Sequence, residues 1–165
     1  MKMEGVNKVI IVMGVSGSGK SSIGQLLAEE LFIPFIDADD YHPKSNVEKM
    51  SQGIPLNDMD RIPWLNALNK VTIDNVYKGC VIACSALKQD YRSRLSQSIE
   101  SNILMVYLKG SFDVIYDRME NRKEHFMGAE MLKSQFDILE EPEDALVISI
   151  VDTPQVIVQK IKSHI

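Results

Sequence analysis

A glycine-rich segment near the start of the chain carries the residue types that bind phosphate groups. Residues 14–21 read GVSGSGKS and match the pattern G-x-x-x-x-G-K-[ST] at every defined position. The glycines let successive backbone N–H groups point at phosphate oxygens, the lysine places a cation on the β- and γ-phosphates, and the serine hydroxyl is a Mg²⁺ ligand. We therefore predict nucleoside triphosphate binding by Gly14, Val15, Ser16, Gly17, Ser18, Gly19, Lys20, Ser21 and Ser22, with Mg²⁺ on Ser21.

Two carboxylates follow a short apolar run, in a position where they can face this segment. Residues 34–37 read PFID, and Asp39 comes two residues after Asp37. If the strand continues through both acids, their side chains point to the same face, toward the glycine-rich segment. One can then order Mg²⁺ and its waters while the other accepts the proton of an acceptor hydroxyl. The alternative is that acids here cap the next helix, which suits Asp40 as well as a chemical role does.

The apolar run at residues 81–84 lacks such acids. GTPase switches and large ATPases usually place an Asp at the end of a second apolar strand to hold the Mg²⁺ shell. Here the run VIAC is followed by SALK, which contains no acid. The acids that follow residues 34–37 are therefore the candidates for that role.

Two pairs of basic residues recur at helical spacing. Lys88 and Arg92 follow the run at 81–84, and Arg118 and Arg122 end an amphipathic pattern just before a polar turn. Residues four apart lie on the same side of a helix, so each pair can present two cations in one direction. Cations that lead into a turn suit a lid that closes over phosphates and excludes water. Solvated helix faces are the more ordinary alternative.

The elements that must position these groups alternate along the chain. Five apolar runs predict buried strands, and amphipathic patterns between them predict helices. Asp60 and Pro63 before Trp64 are helix start signals, as are Thr153 and Pro154. Such alternation indicates βαβ units and hence an α/β fold, a five-stranded parallel sheet with helices on both faces. The predicted strands are 9–13, 34–37, 81–84, 103–108 and 145–151.

Composition bounds the possible functions. The chain has 165 residues, with 18 Lys and Arg against 23 Asp and Glu, and a formal net charge of −5. This length predicts one domain, over residues 1–165, and the acidic balance disfavours binding to nucleic acid. No apolar run approaches the roughly 18 residues that span a bilayer, so we expect no membrane association and a cytoplasmic protein. Cys80 and Cys84 lie about 13 Å apart along a strand, too far for a disulfide, and are expected to be buried.

Beyond the glycine-rich segment, several blocks of the chain resemble the gluconate kinases, small P-loop carbohydrate kinases related to shikimate and nucleoside monophosphate kinases. The similarity runs from residue 14 to residue 142. It is carried by DADDYHP at 37–43, NVEKM at 46–50, GIPLNDMDRIPWL at 53–65, CSALK at 84–88 with Tyr91 and Arg92, HFM at 125–127 and SQF at 134–136.

The resemblance implies transfer of the γ-phosphoryl group of ATP to the 6-hydroxyl of D-gluconate, on a three-layer P-loop kinase fold that is often a homodimer. It also implies a substrate-binding insertion at about 40–62 and a lid at about 118–135. Carried over by position, Asp39 is the partner of the substrate hydroxyl and the base, and Asp37 lies toward Mg²⁺. The other candidates are Lys20 and Arg122 for catalysis, Arg118 and Arg122 for adenine and phosphates, and His42, Lys49, Arg61, Lys88, Arg92 and His125 for the substrate. His42 precedes a proline, so a helix start is an equal alternative for it.

The chain departs from the pattern of this family at Ala38, Glu124 and Gly128, where the family often has glycine, glycine and proline. The last two fall in the lid, so they bear on how the lid closes rather than on the reaction. Two alternatives stay open. One is a kinase of the same fold that acts on shikimate, a nucleotide or a different sugar acid. The other is an ATP-binding regulatory module, which would need no base at Asp39.

Overall fold

The computed structural model describes residues 6–122 and 128–165, and in these ranges strands alternate with helices. Each of the five predicted runs overlaps one strand, so the strand predictions are confirmed. The strands are β1 (Val9–Met13), β2 (Phe35–Asp37), β3 (Cys80–Ala83), β4 (Ile103–Lys109) and β5 (Leu146–Ser149). The helices are α1 (Lys20–Leu31), α2 (Lys44–Ser51), α3 (Asp58–Asn75), α4 (Gln89–Ser96), α5 (Phe112–Asn121), α6 (Ala129–Ile138) and α7 (Pro154–Lys162).

The strands form one parallel sheet in the order β2-β3-β1-β4-β5. At its centre, Ile11 of β1 pairs with Ile82 of β3 on one side and with Met105 of β4 on the other. β2 and β3 therefore lie on one side of β1, and β4 and β5 lie on the other, so the direction in which strands are added reverses at β1. In a parallel sheet such a reversal opens a crevice at the carboxyl ends of the strands, and this is where ligands bind.

The side chains of β1 alternate between two hydrophobic cores, one on each face of the sheet. Ile10 and Val12 pack in the core formed with α1, α5, α6 and α7, whereas Val9, Ile11 and Met13 pack in the core formed with α3 and α4. This alternation follows from the two-residue repeat of a strand. Helices thus cover both faces, as predicted. None of the helices in the described ranges combines the length and the apolar character needed to cross a membrane.

The start of α3 differs from the prediction. Asn57 is the cap of this helix: its side-chain oxygen accepts from the N–H of Asp60 at 2.7 Å, and Asp60 Oδ2 accepts from the N–H of Asn57 at 3.0 Å. This reciprocal capping box satisfies two donors at the helix end. Pro63 consequently lies inside the helix rather than at its first position. At α7 the prediction is confirmed, because Thr153 caps the helix and Pro154 is its first residue.

The two cysteines are buried and unpaired, as expected. Cys80 lies in β3 and Cys84 follows directly after it, and neither forms a disulfide. Burial raises the pKa of each thiol to about 12. Both therefore stay protonated at neutral pH and act as small core residues.

Candidate active site

The glycine-rich loop connects β1 to α1 and has the backbone shape of a phosphate cradle. Gly17 and Gly19 have φ angles of 80° and 96°, which residues with a side chain rarely adopt. A Cβ atom at Gly17 would also meet Met119 Cγ at 2.6 Å, so the loop packs closely against α5. Because α1 begins at Lys20, its positive dipole end and its first N–H groups face the loop. The sequence-predicted cradle thus has the backbone that anion binding requires.

A buried hydroxyl in this loop fits an anionic ligand. Ser18 Oγ is the one buried side-chain nitrogen or oxygen atom of the described residues that has no hydrogen-bond partner. Leaving such a group unpaired costs about 1–3 kcal/mol. A phosphate oxygen bound in the loop can accept from this hydroxyl and remove that cost. The residues present therefore fit a nucleoside triphosphate.

Lys20 lies near the two predicted acids, beyond the carboxyl ends of β1 and β2. Its ammonium Nζ donates to the carbonyl oxygen of Val15 at 3.0 Å. Burial lowers the pKa of Lys20, and the nearby charges of Asp39 and Asp37 oppose that shift. The lysine and the two acids are thus within electrostatic reach of each other at the carboxyl ends of β1 and β2.

The local geometry of the two acids differs from the prediction. β2 ends at Asp37, and residues Ala38–Tyr41 form a 3₁₀ turn, so Asp39 does not lie on the strand. Asp37 Oδ1 accepts from the N–H of Asp39 at 3.0 Å and caps that turn. The prediction that the two acids share one strand face is therefore wrong, and the capping alternative applies to Asp37 rather than to Asp40. The turn nevertheless keeps Asp39 near Lys20.

The pKa of the Asp39 carboxyl is raised above its ordinary value. Although 87% of its side chain is exposed, the protein atoms around it raise the pKa of its carboxyl, and the charge of Asp37 adds to this effect. His42 and Lys20 act in the opposite direction but do not cancel it. A carboxyl whose pKa is raised toward the working pH is suited to accept and release a proton.

We predict that Asp39→Asn raises the Tm of the ligand-free protein near pH 7. A carboxyl whose pKa is higher in the folded state disfavours that state once it ionises. The gain should be full above the folded-state pKa of Asp39 and disappear as the pH falls below the unfolded value of about 3.9. Thermal unfolding of both proteins across this pH range measures it. A gain that increases toward low pH would contradict the prediction.

His42 is fixed in place beside Asp39. Its ring stacks on Trp64 with the centroids 4.2 Å apart, and Trp64 Nε1 donates to the carbonyl oxygen of Ala38 at 2.7 Å. His42 Nε2 lies 4.0 Å from Asp39 Oδ1. Asn46 Nδ2 lies 3.3 Å from His42 Nδ1 on the other side of the ring. His42 therefore lies beside Asp39, and Trp64 is a buried core residue that packs against its ring.

A cluster of cations lies at the amino-terminal end of α3. Lys88 Nζ lies 3.2 Å from Asp58 Oδ1, and the Tyr91 hydroxyl donates to the same carboxylate. Arg61 donates to the Tyr91 hydroxyl at 3.2 Å and to the carbonyl oxygen of Leu56 at 2.8 Å. These contacts bring together Arg61 and Lys88, two of the cations predicted to bind the substrate. Sequence spacing assigns no role to Tyr91, whose hydroxyl contacts both Arg61 and the carboxylate that pairs with Lys88.

Two other predicted substrate cations are engaged in structural contacts. Lys49 pairs with Asp60 at 2.8 Å and so links α2 to α3. Arg92 is 4% exposed and donates to the carbonyl oxygens of Ala86 and Glu140, each at 2.8 Å. This burial corrects the expectation that Arg92 presents its charge to a substrate, because its guanidinium instead joins two chain segments.

The predicted lid is described only in part. Arg118 of α5 donates to the carbonyl oxygen of Ile150 at 2.7 Å, and Arg122 follows the last residue of α5 and is exposed. His125 and Glu124 lie outside the described residues. Gly128 precedes α6 as its cap.

Gln135 is a site residue that the sequence did not single out. It lies on α6, and its Oε1 accepts from the N–H of Ser16 at 2.7 Å. Its Nε2 donates to Ser16 Oγ at 3.0 Å. The amide thus accepts a hydrogen bond from one N–H of the phosphate cradle, although the two residues are 119 positions apart in the sequence. The SQF block was the only signal for it, and spacing alone could not give it a role.

Comparison with known proteins identifies relatives that cover most of the chain. A model of the shikimate kinase family matches residues 16–164. The probable gluconokinase of Mus musculus is 49% identical over 152 residues, which cover 81% of this chain and 83% of that protein. The thermoresistant gluconokinase of Escherichia coli is 46% identical over 148 residues, which cover 86% and 84%.

A solved structure agrees with these relatives. The crystal structure of a gluconokinase from Sinorhizobium meliloti has a TM-score of 0.87 and 40% identity, and the match covers 94% of this chain and 90% of that one. A shikimate kinase from Aquifex aeolicus, at 17% identity and a TM-score of 0.57, shares the fold alone. The chain belongs to the gluconokinase family of shikimate kinase-like P-loop kinases.

Proposed function

We propose that this kinase transfers the γ-phosphoryl group of ATP to the 6-hydroxyl of D-gluconate, giving 6-phospho-D-gluconate and ADP. The observation that carries the proposal is that Lys20 and Asp39 lie within electrostatic reach of each other beside the phosphate cradle. Phosphoryl transfer to an alcohol needs a cation for the transferred group and a carboxylate that accepts the hydroxyl proton. These two residues supply both.

The proposed step uses the residues of the site as follows. The gluconate hydroxyl oxygen forms a bond to the γ-phosphorus while the bond from that phosphorus to the β–γ bridging oxygen breaks. The hydroxyl proton passes to Asp39, and ADP leaves with the electron pair of the broken bond. Lys20 and the loop N–H groups stabilise the charge on the phosphoryl oxygens, and we propose that Arg122, at the end of α5, adds a further cation.

Ser21 and Asp37 are the residues that we propose for Mg²⁺. A hydroxyl and a carboxylate are oxygen donors of the kind that Mg²⁺ prefers, and the ion commonly completes its shell with waters and substrate phosphates. When bound, it neutralises charge on the phosphates. Arg118, near the end of α5, is proposed for the nucleotide.

The cation cluster fits the far end of the substrate. Gluconate is a linear polyol whose carboxylate lies far from the reacting hydroxyl, so its site needs a cation away from Asp39. His42 is within electrostatic reach of both Asp39 and Arg61. Burial lowers the pKa of its ring, the charge of Asp39 opposes this shift, and the charge of Arg61 adds to it. We therefore propose that Arg61 and Lys88 bind the carboxylate while His42 lies along the polyol. His125 and Lys49 remain further candidates for the hydroxyls.

We expect Lys88→Met to raise KM for gluconate about tenfold while KM for ATP stays unchanged. A charge-assisted hydrogen bond is worth about 1.5–3 kcal/mol, and the loss of 1.4 kcal/mol is a factor of ten. Steady-state kinetics with each substrate varied in turn measures this. Lys133→Met is the matched control, because Lys133 forms an exposed pair with Asp137 on α6. An unchanged KM for gluconate would remove Lys88 from the carboxylate site.

The proposal as a whole is tested by an ADP-release assay with a panel of acceptors. The panel contains D-gluconate, other sugar acids, shikimate and nucleoside monophosphates, and the phosphorylated carbon of the product is assigned by ³¹P–¹H NMR. We expect turnover on gluconate with phosphate on the 6-oxygen. Robust turnover on another acceptor with none on gluconate would overturn it, and ATP binding without any turnover would favour a regulatory module. A single domain, a homodimer and a cytoplasmic location are also proposed, on sequence length and family resemblance alone.

A further inference from the structure

The buried side chain of Asn46 can take only one orientation. Asn46 is 2% exposed, and its Nδ2 atom lies 2.9 Å from the backbone carbonyl oxygen of Asp60. A carbonyl oxygen accepts hydrogen bonds and cannot donate, so the atom that faces it must be the NH₂ group of the amide. The alternative orientation would bring two oxygens together in a buried place. The contact with Asp60 therefore assigns both ends of the amide.

This orientation decides which nitrogen of His42 carries the proton. The same NH₂ group lies 3.3 Å from His42 Nδ1. An NH₂ group can only donate, so a hydrogen bond at this contact requires Nδ1 to accept, and the proton of a neutral imidazole is then on Nε2. A ring protonated on both nitrogens would place two donors against each other. The Nε2–H group lies on the side of the ring that faces Asp39.

Burial and stacking fix the His42 ring, whereas the Asp39 side chain that it faces is exposed. Only 5% of the His42 side chain is exposed, and the ring is stacked on Trp64 within 13° of parallel. Among the described residues, no donor lies within hydrogen-bond distance of the Asp39 carboxylate, and 87% of its side chain is exposed. A base must be placed accurately relative to the hydroxyl that it serves. His42 Nε2 is a fixed donor that faces this carboxylate, at 4.0 Å from Asp39 Oδ1.

We propose that Asn46 holds His42 as the neutral Nε2–H tautomer, and that this fixed donor positions the carboxylate of Asp39 for the acceptor hydroxyl. Asn46 is then a positioning residue: it touches neither the nucleotide nor the acceptor, and it acts through His42, which positions Asp39 in addition to its proposed contact with the polyol. The charged groups that act on the ring are those of Asp39 and of Arg61 on α3. The role in positioning rests on the proposed kinase reaction, whereas the tautomer rests on the contacts alone.

The tautomer is measured on the wild-type protein labelled with ¹⁵N at the histidine rings. The chain has three histidines, and the His42 signals are those missing from His42→Gln. We expect a pyridine-like shift for Nδ1 and a pyrrole-like shift for Nε2 near pH 7.5. The opposite pattern, or two pyrrole-like nitrogens, would overturn the proposal. This result does not depend on gluconate turnover, so it is distinguishable from a failure of the proposed function.

The positioning role is measured by removing the amide. We expect Asn46→Ala to give a mixture of tautomers and to lower kcat about tenfold, the size typical of a group that orients a functional histidine, with KM for ATP unchanged. Asn69→Ala is the matched control. Like Asn46, Asn69 donates through one amide nitrogen to two acceptors. These are the backbone carbonyls of Leu95 and Gln97, at the carboxyl end of α4. This control should lose stability and keep kcat.

A second pair of variants covers the case in which Asn46→Ala fails to fold. His42→Gln retains an N–H donor near the position of Nε2, whereas His42→Phe retains the stacking on Trp64 and loses the donor. We expect His42→Gln to keep more kcat than His42→Phe. A larger loss in His42→Gln than in His42→Phe would show that the stacking matters more than the donor, and equal losses would show that the donor has no separate effect; either result would overturn the positioning role. An unchanged kcat in Asn46→Ala, with its tautomer altered, would do the same.

Discussion

Replacement of Lys20 by alanine is expected to lower kcat about 10³-fold and to weaken ATP binding much less. The lysine acts on the phosphoryl oxygens, where negative charge is redistributed as the bond to the leaving group breaks, so its effect is larger in the transition state than in the bound ground state. Removal of one electrostatic donor of this kind costs about 10²–10³ in kcat, and the lost cation places this variant at the upper end. The measurement is kcat by ADP release together with ATP binding by calorimetry.

Lys109→Ala is the control for this prediction, because it tests whether the loss of any positive charge at this edge of the sheet lowers kcat. Lys109 ends β4 and pairs with Glu141 at 3.1 Å, and 53% of its side chain is exposed. This variant should keep the wild-type kcat. If Lys20→Ala retained kcat, or if both variants lost it equally, the assignment of Lys20 to the transferred phosphate would be wrong.

Replacement of Asp39 by asparagine should preserve ATP binding and reduce kcat about 10²-fold or more. The amide has nearly the same shape but cannot accept the hydroxyl proton, and general base catalysis contributes about 10²–10⁴-fold. The effect should appear in kcat and in kcat/KM together, because proton transfer occurs in the transition state. The assay is the same as for Lys20, with gluconate saturating.

Asp40→Asn is the control for this prediction. Asp40 is the next residue of the same 3₁₀ turn and is exposed, so the variant removes an equal charge one position away. We expect its kcat to match that of the wild type. Near-normal turnover in Asp39→Asn would remove Asp39 from the mechanism, and a large loss in Asp40→Asn would point to net charge rather than to a base.

The sheet could be predicted because its information is local. A run such as residues 9–13 consists of five apolar side chains, and only a strand that is covered on both faces buries all of them. The phosphate loop is likewise contained in eight consecutive residues. Strand, loop and helix start were therefore available from sequence alone.

The site could be predicted only where its partners are close in sequence. Asp39 departs from the strand because the Asp37 side chain caps the following turn, and strand periodicity does not include that competition. Arg92 resembled an exposed cation, but one of its acceptors, Glu140, lies 48 residues away. Asn46 received no role from its sequence block, since its carbonyl partner, Asp60, belongs to another helix. Spacing finds residue types, whereas tertiary contacts decide which of them are free to act.

The two thiols on the central sheet provide a chemical probe of how the enzyme opens. Because Cys80 and Cys84 are buried and their pKa values are near 12, alkylating reagents can reach a reactive thiolate only when β3 separates from its neighbours. The alkylation rate then measures sub-global unfolding of the native protein without any added label. Cys84 stands beside the carboxyl edge that holds the cradle, so a bound nucleotide should protect it by mass action. The ligand affinities of inactive variants can thus be obtained from a mass spectrum.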